Sequence, residues 1–235
     1  MIRRLCDGDS LTLPEYGVEA QKIRALWLAY SAKYDFCRFY ETDGAAFCEQ
    51  ERKIVLCTFG KCDYSEISEF LVFIGAEEIF CSEEDAKELH SYTACTFDIV
   101  NVMRFDGEGA DFEIERNPPF RVAFSVISSA FNLTESAFEP WYLDMSHRVR
   151  HNISMIFRRK SSVLVVQHDL NGEVLLSQIA TLPKMQRMGN ASELILSVCS
   201  EYRGKKIYVI CDDCLAGFYR KIGFTFECRK AIINI

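Results

Sequence analysis

The stretch Gln186-Arg187-Met188-Gly189-Asn190-Ala191 decides how this chain is read, because of what stands on either side of it. Before it runs the strand-like segment Val174–Leu182. After it Ala191, Leu194, Ile195, Val198, Cys199 and Tyr202 recur at helical spacing until Arg203-Gly204 closes the run. A strand, a short loop and an amphipathic helix in that order suit a pyrophosphate. The loop leaves backbone N–H groups unpaired at the start of a helix, where the helix dipole also favours negative charge. Gly189 lets the backbone take positive φ or approach a ligand closely, and Ala191 keeps the first helical turn uncrowded. Arg187 lies in the loop itself, and a guanidinium pairs well with phosphate oxygens. Arg220, much further along, reads equally well as a solvated charge.

The spacing Q-x-x-G-x-A resembles the acyl-CoA-binding loop (Q/R-x-x-G-x-G/A) of the GNAT family of N-acetyltransferases. Upstream, Ile179-Ala180-Thr181-Leu182-Pro183 is similar to the end of that family's splayed central strand. Downstream, Lys206–Asp212 reads as a buried strand, and Phe218-Tyr219-Arg220-Lys221-Ile222-Gly223-Phe224 resembles the family's second signature, with Gly223 at a helix stop. The resemblance covers residues 120–235. It departs from the family at Arg187, Met188 and Asn190, where glycine or small residues are frequent.

This resemblance implies a mixed α/β (α+β) fold whose central sheet is flanked by helices and splays open at the acyl-CoA site. It implies acetyl-CoA as donor and transfer of an acetyl or other short acyl group to a primary amine, on a small molecule or a peptide. Backbone groups of Ile179, Ala180 and Thr181 would polarise the thioester carbonyl and pair with the pantetheine arm. Gln186, Arg187, Met188, Gly189, Asn190, Ala191 and Ser192 would hold the pyrophosphate, with Phe218 beside the cofactor. Tyr219 stands where many members place the proton donor to the departing thiolate, and a phenol is protonated at neutral pH. Many members also carry a carboxylate on the central strand. Here that strand offers Ser177 and Gln178, and Glu173 lies at its far end. His147, His151 and His168 are the other candidate bases, each read more readily as a packing or surface residue, so no base is assigned. Loss of the carboxylate and of loop glycines also suits a non-catalytic acyl-CoA binder or scaffold of the same fold.

The 235 residues allow one large domain or two ordinary ones, and 49% apolar content with 18 Phe supplies ample core. A net charge of −7 leaves no basic face for nucleic acid. The eleven cysteines fall mostly within apolar runs, as at Cys57, Cys95, Cys199 and Cys211, where a thiol acts as a small hydrophobe. Cys211-Asp212-Asp213-Cys214 lacks the two further ligands a zinc site needs and straddles a strand end, so one thiol should point inward and the other towards the following helix. With no apolar leader after Met1-Ile2-Arg3-Arg4 and no membrane-length run, the expectation is a reduced cytoplasmic protein without metal.

The first half repeats the rhythm of the second. Lys53–Phe59 reads as a strand, Ser65–Gly75 as a helix, Glu78–Cys81 as a strand, Glu83–His90 as an acidic helix and Thr93–Phe105 as a strand. The second half runs helix Ala191–Tyr202, strand Lys206–Asp212, helix Leu215–Ile222 and strand Thr225–Lys230. Local wording echoes too: Ile67-Ser68-Glu69-Phe70-Leu71 stands against Ala191-Ser192-Glu193-Leu194-Ile195. The expectation is therefore a tandem, with a degenerate unit over 1–112 and the acetyltransferase unit over 113–235, unless the echoes are chance and the first half is an unrelated α/β cap. Where the second half has its loop, the first has Gly60-Lys61-Cys62-Asp63-Tyr64-Ser65-Glu66. Its carboxylates would repel a pyrophosphate and serve better as helix caps. Two helices precede the second sheet, Phe120–Phe131 and one within Thr134–Ile153, the latter with Trp141, Tyr142, Met145, Val149 and Ile153 on one face. In the family, helices at this position shape the acceptor pocket. The apolar tail Ala231–Ile235 is suited to edge pairing within the chain or in a homodimer.

Overall fold

A computed structural model describes residues 1–235 and forms two compact units, Met1–Val102 with Cys228–Ile235 and Met103–Glu227. The first unit contains β1 (Arg3–Arg4), α1 (Val18–Tyr30), β2 (Cys37–Thr42), β3 (Ala45–Gln50), β4 (Lys53–Thr58), α2 (Tyr64–Phe73), β5 (Glu78–Ser82), α3 (Glu83–His90) and most of β6 (Thr96–Phe105). The second contains β7 (Glu115–Arg116), α4 (Phe120–Phe131), α5 (Phe138–Arg150), β8 (Met155–Arg159), β9 (Ser162–Leu170), β10 (Glu173–Thr181), α6 (Asn190–Glu201), β11 (Lys206–Cys211), α7 (Asp213–Lys221) and the start of β12 (Phe224–Asn234).

In the first unit β2, β3 and β4 form an antiparallel meander, and β4 pairs in parallel with β5. Phe47, Leu56, Ile67, Leu71 and Ile79 fill the core beneath α2 and α3. Both helices start on side-chain caps. Asp63 accepts from the backbone N–H groups of Ser65 and Glu66, and Ser82 with Asp85 makes a capping box on α3. The apolar tail pairs within the chain: β12 runs antiparallel to β5, from Lys230 opposite Ser82 to Asn234 opposite Glu78. That strand continues beyond the expected stop at Lys230. Its inward Ala231 and Ile233 are buried in the first unit's core, so Cys228–Ile235 groups with that unit.

In the second unit β8, β9 and β10 are again antiparallel, and β10 pairs in parallel with β11. The β9–β10 turn is Asn171-Gly172 with φ of 51° and 75°, a two-residue hairpin for which these residue types are the usual choice. Alternation along the strands divides the apolar side chains between two faces. Val174, Leu176, Val209, Leu194, Val198 and Phe224 pack on the α6 side, while Val163, Val165, Ala180, Ala123, Ile127 and Met145 pack on the α4 and α5 side. The helix expected within Thr134–Ile153 is Phe138–Arg150, preceded by a single 3-10 turn. Trp141, Met145 and Val149 do join the core, but Tyr142 is exposed and stacks on Phe138 at a centroid distance of 5.7 Å.

The two units share one plan, three antiparallel strands, a helix, a parallel strand and a helix: β2-β3-β4-α2-β5-α3 and β8-β9-β10-α6-β11-α7. The tandem mixed-sheet architecture expected from the sequence is the one found.

Candidate functional site

The second unit's sheet forks. Parallel pairing between β10 and β11 runs from Glu173 opposite Lys206 to Leu176 opposite Val209 and stops there, although β10 continues to Thr181 and β11 to Cys211. Ser177–Thr181 therefore pairs with β9 on one side only, leaving roughly 16 Å of strand edge with backbone groups open on the other. A bulge lies within the fork: Ser177 is opposite Val165 but Ala180 is opposite Val163, and the extra residue between them is accommodated with Gln178 at φ 45°. Ile179 packs towards the α6 core and Ala180 towards the α4–α5 core, while the backbone edge they share is not paired with β11.

Beyond Thr181 the chain makes a 3-10 turn, Pro183–Met185, then turns sharply through Arg187 at φ 61° and Gly189 at φ 81° into α6. No side chain caps α6, so the first-turn N–H groups of Asn190, Ala191 and Ser192 remain available. Gln186, Arg187 and Met188 are exposed. Asn190 is buried, and its amide donates to Ser161 Oγ at 3.1 Å and to the Met185 carbonyl at 3.4 Å. Its side chain thus anchors the loop, leaving its backbone N–H at the helix start. The Gln186 amide donates to the Thr181 carbonyl at 3.4 Å. Glu193, one turn into α6, is held by Arg159 at 2.9 Å and Lys160 at 3.1 Å, and those cations keep its carboxyl below the ordinary carboxylate value. The negative charge nearest the helix start is thereby neutralised. Uncapped N–H groups and two left-handed residues beside an open strand edge fit a phosphate-bearing ligand.

The other prong leads into α7. Tyr219 is buried, with ring centroids 5.1 Å from Phe218 and 5.4 Å from Phe224. Phe218 and Ile179 pack against the same core that contains Tyr219. Burial, and then the neighbouring Cys211, raise the Tyr219 pKa above the ordinary phenol value, so the hydroxyl stays protonated well past neutral pH.

No family sequence model matches the chain, and no curated protein matches it. Solved structures do. A GCN5-related N-acetyltransferase from Kribbella flavida superposes with a TM-score of 0.64 at 12% identity, over 92% of this chain and 93% of that one. One from Sphaerobacter thermophilus gives 0.61 at 13% identity, over 100% and 95%. A tandem GNAT protein from the clavulanic acid biosynthesis pathway gives 0.63 at 9% identity, over 100% and 98%. The chain has the tandem GNAT fold.

Within this GNAT fold the two units differ where the loop stands. In the first, parallel pairing likewise ends early, at Val55 opposite Phe80. There, however, Asp63 occupies the α2 N-terminus. The buried Asp85 carboxylate, at the start of α3, accepts from Thr58 Oγ1 at 2.9 Å and from Tyr64 Oη at 2.7 Å. Those bonds join the end of β4 to the start of the helix after β5, so the chain's own side chains link the two arms of that fork.

None of the remaining sequence candidates lies on the Ser177–Thr181 segment itself. Glu173 is buried at the opposite end of β10, where its residue pairs with Leu170 and Lys206. His168 is buried on β9 opposite Leu175. His147 and His151 lie at the end of α5 with rings 4.3 Å apart. Cys211 is buried, as its strand-end position predicts, whereas Cys214 lies in the first turn of α7 and is exposed. No helix is long and apolar enough to cross a membrane. One contact escaped the sequence reading: Trp141 Nε1 on α5 donates to Gln178 Oε1 at the bulge, at 2.9 Å. A tryptophan at helical spacing reads as core, and nothing in the pattern marks Gln178 as left-handed.

Proposed function

We propose that the protein is an acetyl-CoA-dependent N-acetyltransferase that moves an acetyl or short acyl group to a primary amine. The observation that carries this reading is the fork in β10, with its open edge leading directly to an uncapped α6. Bound acetyl-CoA would supply the activated thioester. The N–H groups of Gly189–Ser192 hold its pyrophosphate, and Arg187 contributes a cation from the loop. Backbone groups of Ile179–Thr181 orient the arm and donate towards the carbonyl oxygen, stabilising charge that develops in the transition state. Tyr219, kept protonated by its apolar surroundings, donates its proton to the departing sulfur. Holding donor and amine in line supplies much of the acceleration. The first unit, with Asp63 and Asp85 in the corresponding places, holds no acyl donor and serves a structural role.

The experiment is titration calorimetry with acetyl-CoA, followed by a screen of amines, polyamines, amino acids and peptide N-termini with a free-thiol readout. Binding plus turnover with any acceptor supports the proposal, and absence of binding at high micromolar concentration removes it. A second reading, an acyl-CoA-binding scaffold without catalysis, is favoured by one observation. The strand position that could carry a base is an amide, Gln178, already engaged by Trp141. Tight binding without turnover across the screen selects that reading.

A further inference from the structure

Gln178 combines two costs. It is a residue with a side chain at φ 45°, and it sits in the bulge where β10 has already left β11. Such a conformation persists only when its surroundings impose it. The structure supplies one restraint on the Gln178 side chain, the 2.9 Å bond from Trp141 Nε1. An indole N–H can only donate, so the amide must present its oxygen. Trp141 is itself fixed. Its ring lies 5.3 Å from Phe124, 6.2 Å from Phe120 and 6.5 Å from Phe138, and it packs on the core that includes Ala180.

We infer that Trp141 is a positioning residue: its indole N–H holds Gln178 in the left-handed bulge and so aims the Ile179–Thr181 backbone at the acyl carbonyl. This inference rests on the acyltransferase reading. It gives α5 a function in donor activation, separate from any contact with the acceptor. A ring that merely packed would not need its nitrogen, whereas a ring that positions the bulge does.

The test needs no acceptor. [1-13C]Acetyl-CoA is bound to the full chain and its carbonyl stretch is read by difference infrared spectroscopy, since polarisation lowers that frequency. Wild type is expected to show a downshift against free acetyl-CoA. Trp141→Phe, which keeps the ring and removes the donor, should lose most of the downshift while Kd changes within about threefold. Adding Gln178→Gly should restore it, because glycine takes positive φ unaided. Gln178→Met, which leaves Trp141 in place and removes the acceptor, should match Trp141→Phe, so the bond is tested even if the tryptophan variant folds poorly. An unchanged downshift in Trp141→Phe or Gln178→Met overturns the inference alone. A wild type that binds no acetyl-CoA overturns it together with the acyltransferase reading.

Discussion

The buried amide of Asn190 donates to Ser161 Oγ at 3.1 Å, joining the first residue of α6 to the β8–β9 turn. With its second bond, to the Met185 carbonyl, it fixes both ends of the candidate pyrophosphate loop through one side chain. Asn190→Ala should therefore cost about 1–3 kcal/mol of stability, as expected when a buried hydrogen-bonding partner is removed. It should also weaken CoA binding, because the loop must then be ordered at the moment of binding. Urea unfolding and calorimetry check the two effects, and Asn190→Ala with unchanged CoA affinity would show that the loop needs no anchor.

Arg187 stands apart from Asn190 in having an exposed side chain with no anchoring duty. Arg187→Ala should leave the melting temperature unchanged and raise the Kd for CoA by about tenfold, or about 1.4 kcal/mol, near the lower end for bonds to charged groups. The loss should shrink with added salt, since an exposed cation acting on phosphate is screened. Equal salt slopes for wild type and variant would remove Arg187 from the site.

How much of this was legible in the sequence follows the range of the interactions. The β10–loop–α6 segment is local: strand pattern, glycine and helical spacing stand in sequence order, and the α6 limits fall within a residue of those expected. Asp63 reads as a cap from its place before Ser65-Glu66, and it is one. What was not legible depends on partners far along the chain. Gln178 owes its conformation to a bulge against β9 and to Trp141, 37 positions away. The pairing of Ala231–Asn234 with β5 is longer in range still, and the tail's composition alone fits several partners. The fork, an absence of pairing beyond Leu176, is expected from the resemblance of Ile179–Pro183 to a splayed strand, while the residue types of the strand alone do not announce it.

Asp85 gives a prediction for the first unit. Buried and accepting from Thr58, Tyr64 and the Ser82 backbone, it satisfies three donors at once. Burial first, and then the hydrogen bond to Asp85, raise the pKa of Tyr64 above the ordinary phenol value. Asp85→Ala should destabilise the protein by about 2–4 kcal/mol, because two hydroxyls lose their acceptor and α3 loses its capping box. If the first unit has a structural role only, acetyl-CoA affinity at 20 °C should be unaffected. A large change in that affinity would give the first unit a part in donor binding.

Tyr219→Phe keeps the ring that packs on Phe218 and Phe224 and removes only the hydroxyl. Stability and the Kd for acetyl-CoA should therefore stay close to wild type, while kcat falls by about a hundredfold if the phenol is the proton donor. Because burial raises the Tyr219 pKa, wild-type turnover should show no loss from phenol ionisation up to the ordinary value of about 10. Equal kcat in the variant, measured by release of free thiol, takes Tyr219 out of the mechanism.

Buried thiols should contribute to a loss of stability at alkaline pH. Burial pushes Cys57, in the first unit, and Cys199, on α6, up to about 12 from the ordinary thiol value of 9.0. Both values are raised on folding, so below about pH 9 the thiols are protonated in folded and unfolded chains alike and their contribution is complete. As pH rises towards 12 the unfolded chain loses these protons while the folded one keeps them. The unfolded state then binds fewer protons, the slope of unfolding free energy against pH is negative, and stability falls. Each group can contribute a slope of at most about 1.4 kcal/mol per pH unit in that window. Urea midpoints should thus be level between pH 7 and 8 and decline from pH 9 to 10.5. Cys199→Ala should start lower, having lost buried volume, but decline less steeply, and so should Cys57→Ala. Parallel declines in wild type and both variants would place the alkaline transition on other groups.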